Sequence, residues 1–284
     1  MSAVHEAPLL LAARPRARLR LPPTAIAGAA ILLALIVCAV FPGAIAPYAP
    51  NKFDYHALLK PPSLAHPFGT DNFGRDIFSR TIWAAGIDLQ IAIFCTLFPA
   101  IFGTFAGCIV GYAGGVVDSI FRRIVDVAIT IPFLVLVIAI VAVLGPGLVN
   151  MYIAVSAVNW IIYARLIRGE ILAQKRRDYA AAGRVMGYGA PRILFRHLLP
   201  NALSPVMVYW MTDMALAILL GSSLGYLGLG AQPPTSEWGV LIGDGKNFMT
   251  TAWWMSIFPG IAIVLAGTGF SLLGDGLAKL LRRR

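Results

Sequence analysis

Two stretches of this sequence leave almost no choice of surroundings. From Leu21 to Asn51, and again from Val127 to Ala164, no charged side chain occurs, and a run that long without charge satisfies its backbone best as helix in an apolar medium. The second stretch is too long for one crossing of a bilayer core of about 30 Å. It suffices for two if the chain reverses midway, where Gly145-Pro146-Gly147 supplies a turn. Composition agrees: 58% of the 284 residues are hydrophobic and 13% are charged, so a large soluble catalytic domain has no room.

The pattern predicts an all-α membrane protein with six transmembrane helices, near Thr24–Ala46, Leu89–Tyr112, Val125–Leu144, Leu148–Ile167, Leu203–Leu224 and Ser256–Leu273. The first follows a basic start at Arg14, Arg16, Arg18 and Arg20, and Ala44-Ile45-Ala46 imitates a leader cleavage site. Its apolar run exceeds the roughly 7–15 residues of a leader core, so it reads as a retained anchor. The chain divides into a basic tail (1–23), the first helix (24–47), an outer loop (48–88), a five-helix core (89–276) and a basic tail (277–284).

Alternating sides from a cytoplasmic N-terminus places eighteen of the 23 Lys and Arg residues inside. Only Lys52, Lys60, Arg75, Arg80 and Lys246 remain outside, the bias that sets orientation in membranes. Both termini are then cytoplasmic, and the net charge of +10 reflects topology rather than a nucleic-acid partner. Trp83, Trp238, Trp253 and Trp254 fall near the predicted outer boundary, where indole rings anchor to lipid headgroups. Thr70-Asp71 is a plausible helix cap ahead of Ile77, Phe78, Ile82 and Trp83, which predicts a short helix along the outer surface. Gly103, Gly107 and Gly111 form a small-residue face that admits a close helix partner. The three cysteines, Cys38, Cys95 and Cys108, lie in apolar runs and suggest neither a disulfide framework nor a thiolate metal site.

The longest inside loop, 168–200, is not a featureless linker. Asp178-Tyr179-Ala180-Ala181-Ala182-Gly183 favours helix, Gly187-Tyr188-Gly189-Ala190-Pro191 favours a break, and Ile193, Leu194 and Phe195 allow a second short helix before Leu199-Pro200-Asn201. Two helices and a turn make a protruding knob, suited either to the groove of another protein or to lipid headgroups.

Ala181-Ala182-Gly183, then Gly187, then Leu199-Pro200 resembles the EAA motif of the membrane subunits of ABC importers, with Ala181 standing where that motif has Glu, Gly183 where it has Ala and His197 where it has Ile. His66-Pro67-Phe68-Gly69-Thr70-Asp71 with Gly74-Arg75-Asp76 and Ser79-Arg80 is similar to the outer segment of the C-type subunit of oligopeptide, dipeptide and nickel permeases. Leu227-Gly228-Leu229-Gly230, Gln232-Pro233-Pro234, Trp238-Gly239 and Phe258-Pro259-Gly260 are similar to it as well. The resemblance implies a type I ABC importer permease fold in the bacterial inner membrane, carrying peptides, nickel, glutathione or a related solute. It also implies a coupling loop at Asp178, Ala181, Ala182, Gly183, Gly187, Leu199 and Pro200 that docks on an ATPase. The implied partners are a second homologous permease, two cytoplasmic ATPases, an extracytoplasmic solute-binding protein and membrane lipid. ATP and Mg would be bound by the ATPases, with no cofactor in this chain.

The residues themselves encode no phosphate-cradling loop: around Gly245-Lys246, Val240 and Asn247 stand where Gly and Ser or Thr are needed. Gly225, Gly228 and Gly230 follow a membrane helix rather than a strand, and read as a flexible exit from the fifth span. His56, His66 and Asp71 have no spacing that specifies a metal geometry; His66 reads as structural. Asp213 lies inside a span, where an ionisable group faces a cavity or a partner. With Asn159 it is the candidate for the translocation path, against a purely structural role hydrogen-bonded to Tyr209, Thr212 or a neighbouring helix. The rival functions are an ion-coupled secondary transporter, for which Asp213 offers little to couple, and an intramembrane protease, for which a single acid within the spans and no histidine there are insufficient.

Overall fold

The computed structural model describes residues 21–281. Arg14, Arg16, Arg18, Arg20, Arg282, Arg283 and Arg284, seven of the predicted inside charges, lie outside the described residues. Within them the fold is helical, with no strand beyond one isolated bridge between Thr70 and Asp76. Five helices are long and apolar enough to cross a membrane, and there are six if a pair bent by 85° is counted as one span.

Helix α1 (Pro23–Val40) stops where Pro42 forces Phe41 off helical geometry, at φ −120° and ψ 47°, after which a single turn, Pro42–Ile45, follows. Helix α2 runs unbroken from Ile77 to Ala113. The predicted separate outer helix is therefore absent: its residues are the first turns of α2. The cap is Asp76, not Thr70-Asp71, and its carboxylate accepts the Ser79 N–H at 2.7 Å. Ile77 is buried rather than lipid-facing.

The third crossing is not a straight helix over Val125–Leu144. Helix α3 (Gly115–Thr130) and helix α4 (Phe133–Leu144) meet at 85°. Pro132 explains the bend, because the residue before a proline is driven from helical to extended backbone and Ile131 is extended. At twelve residues, α4 is about 18 Å long, short of the bilayer core by itself. Gly145 and Gly147, both at positive φ, make the predicted reversal, and the Asn150 side chain donates to the Leu144 and Gly145 carbonyls at 2.9 and 3.0 Å.

Helix α5 (Leu148–Lys175) is the close partner that the glycine face required. A methyl at Gly103 would collide with the Trp160 carbonyl oxygen, and one at Gly107 with that of Ala164. Helix α6 (Asp178–Val185) then turns into helix α7, one helical run over Ala190–Tyr226. A short helix, α8 (Trp238–Gly245), and a last span, α9 (Trp254–Leu281), complete the chain. Glycines also seat α1 on α9, where Gly28 abuts the backbone at Gly269 and Leu273 and Gly276 abuts Ala25. One buried cluster joins Ala84, Ala85 and Ala92 of α2 to Ile218 of α7, Ala266 of α9 and Trp238.

Candidate functional site

At one end of the bundle α6 folds back on the start of α7. Ala180 and Gly183 are buried against Ile193, while Asp178, Ala182, Gly187 and Pro200 are exposed and Ala181 and Leu199 are half-buried. Gly187 holds φ +76° with open space around it, so its glycine serves left-handed backbone rather than packing. The Tyr188 N–H donates to the Gly183 carbonyl at 3.0 Å, closing the helix end. Tyr188 stacks on His197 and receives the Arg192 guanidinium at 4.1 Å from its ring centre. Beyond the predicted residues, the tip exposes Val185 and Met186, 89% and 60% accessible, an apolar point on a basic loop that motif spacing could not single out.

The second short helix expected after the turn is continuous with the fifth span. Residues Ile193–Leu198 are wound as a π-helix, in which the Leu199 N–H donates to the Leu194 carbonyl. The wide turn lies directly before Pro200, whose ring would otherwise press on the carbonyl of the preceding α-turn. Pro200 is thereby accommodated without a break.

Asp213 and Asn159 are brought together in mid-bundle. The Asn159 Nδ2 donates to Asp213 Oδ2 at 2.8 Å, and the Tyr163 hydroxyl donates to the same oxygen at 2.7 Å. Tyr163, one turn after Asn159 on α5, was not anticipated by name; of the structural partners expected for Asp213, the neighbouring helix supplies the bonds, and Tyr209 and Thr212 do not. A cavity of about 300 Å³ opens beside the pair, walled by Phe133, Val155, Ile162, Tyr209 and Leu216. Phe133 is the first residue after the α3–α4 elbow, so the bend forms part of this wall.

The opposite end is a buried polar clamp. Asp71 Oδ2 accepts from Arg75 Nε at 2.6 Å and Arg80 Nη1 at 2.9 Å, and Asp244 Oδ2 lies 3.4 Å from Arg75 Nη2 and 3.3 Å from Arg80 Nη1. His66 Nδ1 lies 2.9 Å from Asp76 Oδ1, the structural part expected of it. Two of the predicted interfacial tryptophans are interior: Trp238 Nε1 donates to the Thr81 carbonyl and Trp254 Nε1 to that of Thr70, each at 3.0 Å. Trp83 and Trp253 are exposed.

Glu237 caps α8, its oxygens accepting from the Gly239 and Val240 N–H groups at 2.7 and 2.9 Å. Asp88, fully buried within α2, accepts the Trp238 N–H at 3.1 Å and faces Glu237. Asp213 is therefore not the single acid inside a span. Asp88 falls just before the predicted second span, which starts at Leu89, whereas the helix begins twelve residues earlier, at Ile77. Burial pushes the Glu237 carboxyl above the usual carboxylate range. Gly225 is not a flexible exit but a packed one, since a side chain there would strike the Glu237 carboxylate.

Among known proteins, the family described as "Binding-protein-dependent transport system inner membrane component" matches residues 103–284, and "N-terminal TM domain of oligopeptide transport permease C" matches residues 13–62. The probable D,D-dipeptide transport system permease protein of Escherichia coli strain K12 is 38% identical over 91% of this chain and 87% of its own length. The dipeptide transport system permease protein of Alkalihalophilus pseudofirmus is 40% identical over 90% of this chain and 84% of its own. The glutathione transport system permease protein of Pectobacterium atrosepticum is 41% identical over 90% and 86%. With helices that cross a membrane, a bent third crossing and matches of this extent, the chain belongs to the family of binding-protein-dependent transport system inner membrane components: it is a membrane-spanning permease subunit of a bacterial ABC importer, working with ATPase and binding-protein partners, and not itself an enzyme.

Proposed function

We propose that the chain is one of two homologous permease subunits of an importer for peptides or a related small solute. Two ATPase subunits grip the Asp178–Pro200 hairpin, and a solute-binding protein delivers cargo at the opposite face. ATP and Mg belong to the ATPases. The peptide reading is supported by relatives whose names specify D,D-dipeptide, dipeptide and glutathione transport. The excess of Lys and Arg on the hairpin side supports cytoplasmic termini and a cytoplasmic hairpin.

The observation that carries the mechanism is the unbroken helix Ala190–Tyr226, which begins in the hairpin and ends beyond the cavity. Closure of the ATPases displaces the hairpin, and α7 carries the displacement as a rigid rod to Asp213, about 35 Å away at 1.5 Å per residue. Asp213 and Asn159 line the path that this motion opens alternately to the two faces.

Gly187→Val tests it. A β-branched residue at φ +76° is strained by roughly 1–2 kcal/mol, with no packing clash to unfold the span. The expected result is a complex that inserts and binds nucleotide, while its uptake and its ATPase stimulation by loaded binding protein fall about tenfold. Unchanged uptake and stimulation would remove the hairpin from the mechanism.

A further inference from the structure

We propose that Asp213 and the cavity beside it form a subsite for a primary ammonium group carried next to an apolar body, such as the amino terminus of a short peptide. The inference rests on the peptide-import reading and adds a selectivity element to this chain.

Four observations converge. Asp213 is 5% exposed, within a span. Both of its hydrogen bonds, from Asn159 and Tyr163, end on Oδ2. Oδ1 accepts from no described residue, yet it is not among the sealed, unpartnered side-chain atoms, so it opens on the cavity that Asp213 lines. Finally, no cation pairs with Asp213 among the described residues: the ion pairs involve Asp71, Asp76, Asp118 and Asp244, and Arg165 on α5 is exposed. A carboxylate held in an apolar slab without a counter-charge is costly unless a cavity or ligand completes it.

The rest of the wall specifies what arrives with the charge. Phe133, Val155, Ile162 and Leu216 are apolar, and Tyr209 lines the same cavity. A space of about 300 Å³ lies at the lower end of the volumes that enclose small ligands. It holds one or two amino-acid residues, not a long chain. An ammonium group at Oδ1 regains a charge-assisted hydrogen bond lost on leaving water. An acetylated amine cannot, and an anionic group is repelled.

The test uses the complete importer in proteoliposomes, with ATP and its binding protein, and compares uptake of alanyl-leucine with uptake of N-acetyl-alanyl-leucine. The binding protein is common to all arms, so any change in the ratio belongs to the permease. Asp213→Asn, which retains an acceptor for Tyr163, is expected to lower alanyl-leucine uptake about tenfold and leave acetylated uptake unchanged. Asp213→Glu keeps the preference, and thermal stability matches the parent complex in both variants. The subsite is overturned if Asp213→Asn leaves the ratio unaltered, or if it lowers both substrates together with complex stability, the signature of a structural tie between α5 and α7. A parent complex that imports neither compound overturns the peptide reading and the subsite together.

Discussion

At the scale of single residues, the most demanding positions are glycines whose missing side chains set helix contacts. Gly107 meets the Ala164 backbone with no room for a methyl. Gly107→Val is expected to separate α2 from α5 and destabilise the subunit by about 2–3 kcal/mol, read as a lowered thermal midpoint in detergent; an unchanged midpoint would show that the two helices tolerate a wider spacing. The spacing of Gly103, Gly107 and Gly111 announced this face, but the identity of the partner was not legible, because any helix can meet a small-residue stripe. Asp213 and Asn159 were legible as polar residues where lipid is expected. Tyr163 was not, since a tyrosine on a membrane helix is ordinary until its hydroxyl is seen on a carboxylate.

Among the elements, α8 depends on an unusual cap. Glu237 is fully buried with Asp88 opposite, and burial raises its carboxyl above the unfolded value. An acid so shifted contributes stability that is fully present below the ordinary carboxylate range and is lost as pH climbs through the raised value. Glu237→Gln keeps an acceptor oxygen at the cap and removes the titrating carboxyl. The parent's thermal midpoint is expected to fall from mildly acidic to alkaline buffer and that of Glu237→Gln to fall less; parallel curves would show that the cap does not carry the pH dependence. Element boundaries were the least legible part of the fold. A proline such as Pro132 marks a kink or a helix start, but an 85° elbow depends on what α3 packs against, including the bidentate pair of Asp118 with Arg168, and contacts fifty residues apart leave no local pattern. The start of α2 was misplaced for a related reason: Arg75 and Arg80 read as exposed loop charges until Asp71 and Asp244 are seen to neutralise them.

For the whole molecule, the all-helical fold and its apolar spans were legible because charge-free runs and turn residues are enforced by the bilayer itself, whereas the cavity, which takes walls from three helices, is a product of assembly. Orientation has a direct check. In a chain whose native cysteines are replaced, a cysteine at Val185 is expected to react with an impermeant maleimide only in inverted vesicles and one at Asn247 only in intact cells; the reverse pattern would invert the arrangement. The π-wound segment Ile193–Leu198 has a bearing on all of this. It accommodates one residue more than regular winding would, so every side chain beyond it is displaced by about 100° around the rod. Deleting Phe195 is therefore expected to aim the Asp213 carboxylate at lipid instead of the chamber and abolish uptake with the subunit still inserted. Wherever the engine takes hold, the compass bearing of the cargo site is already set at its doorstep.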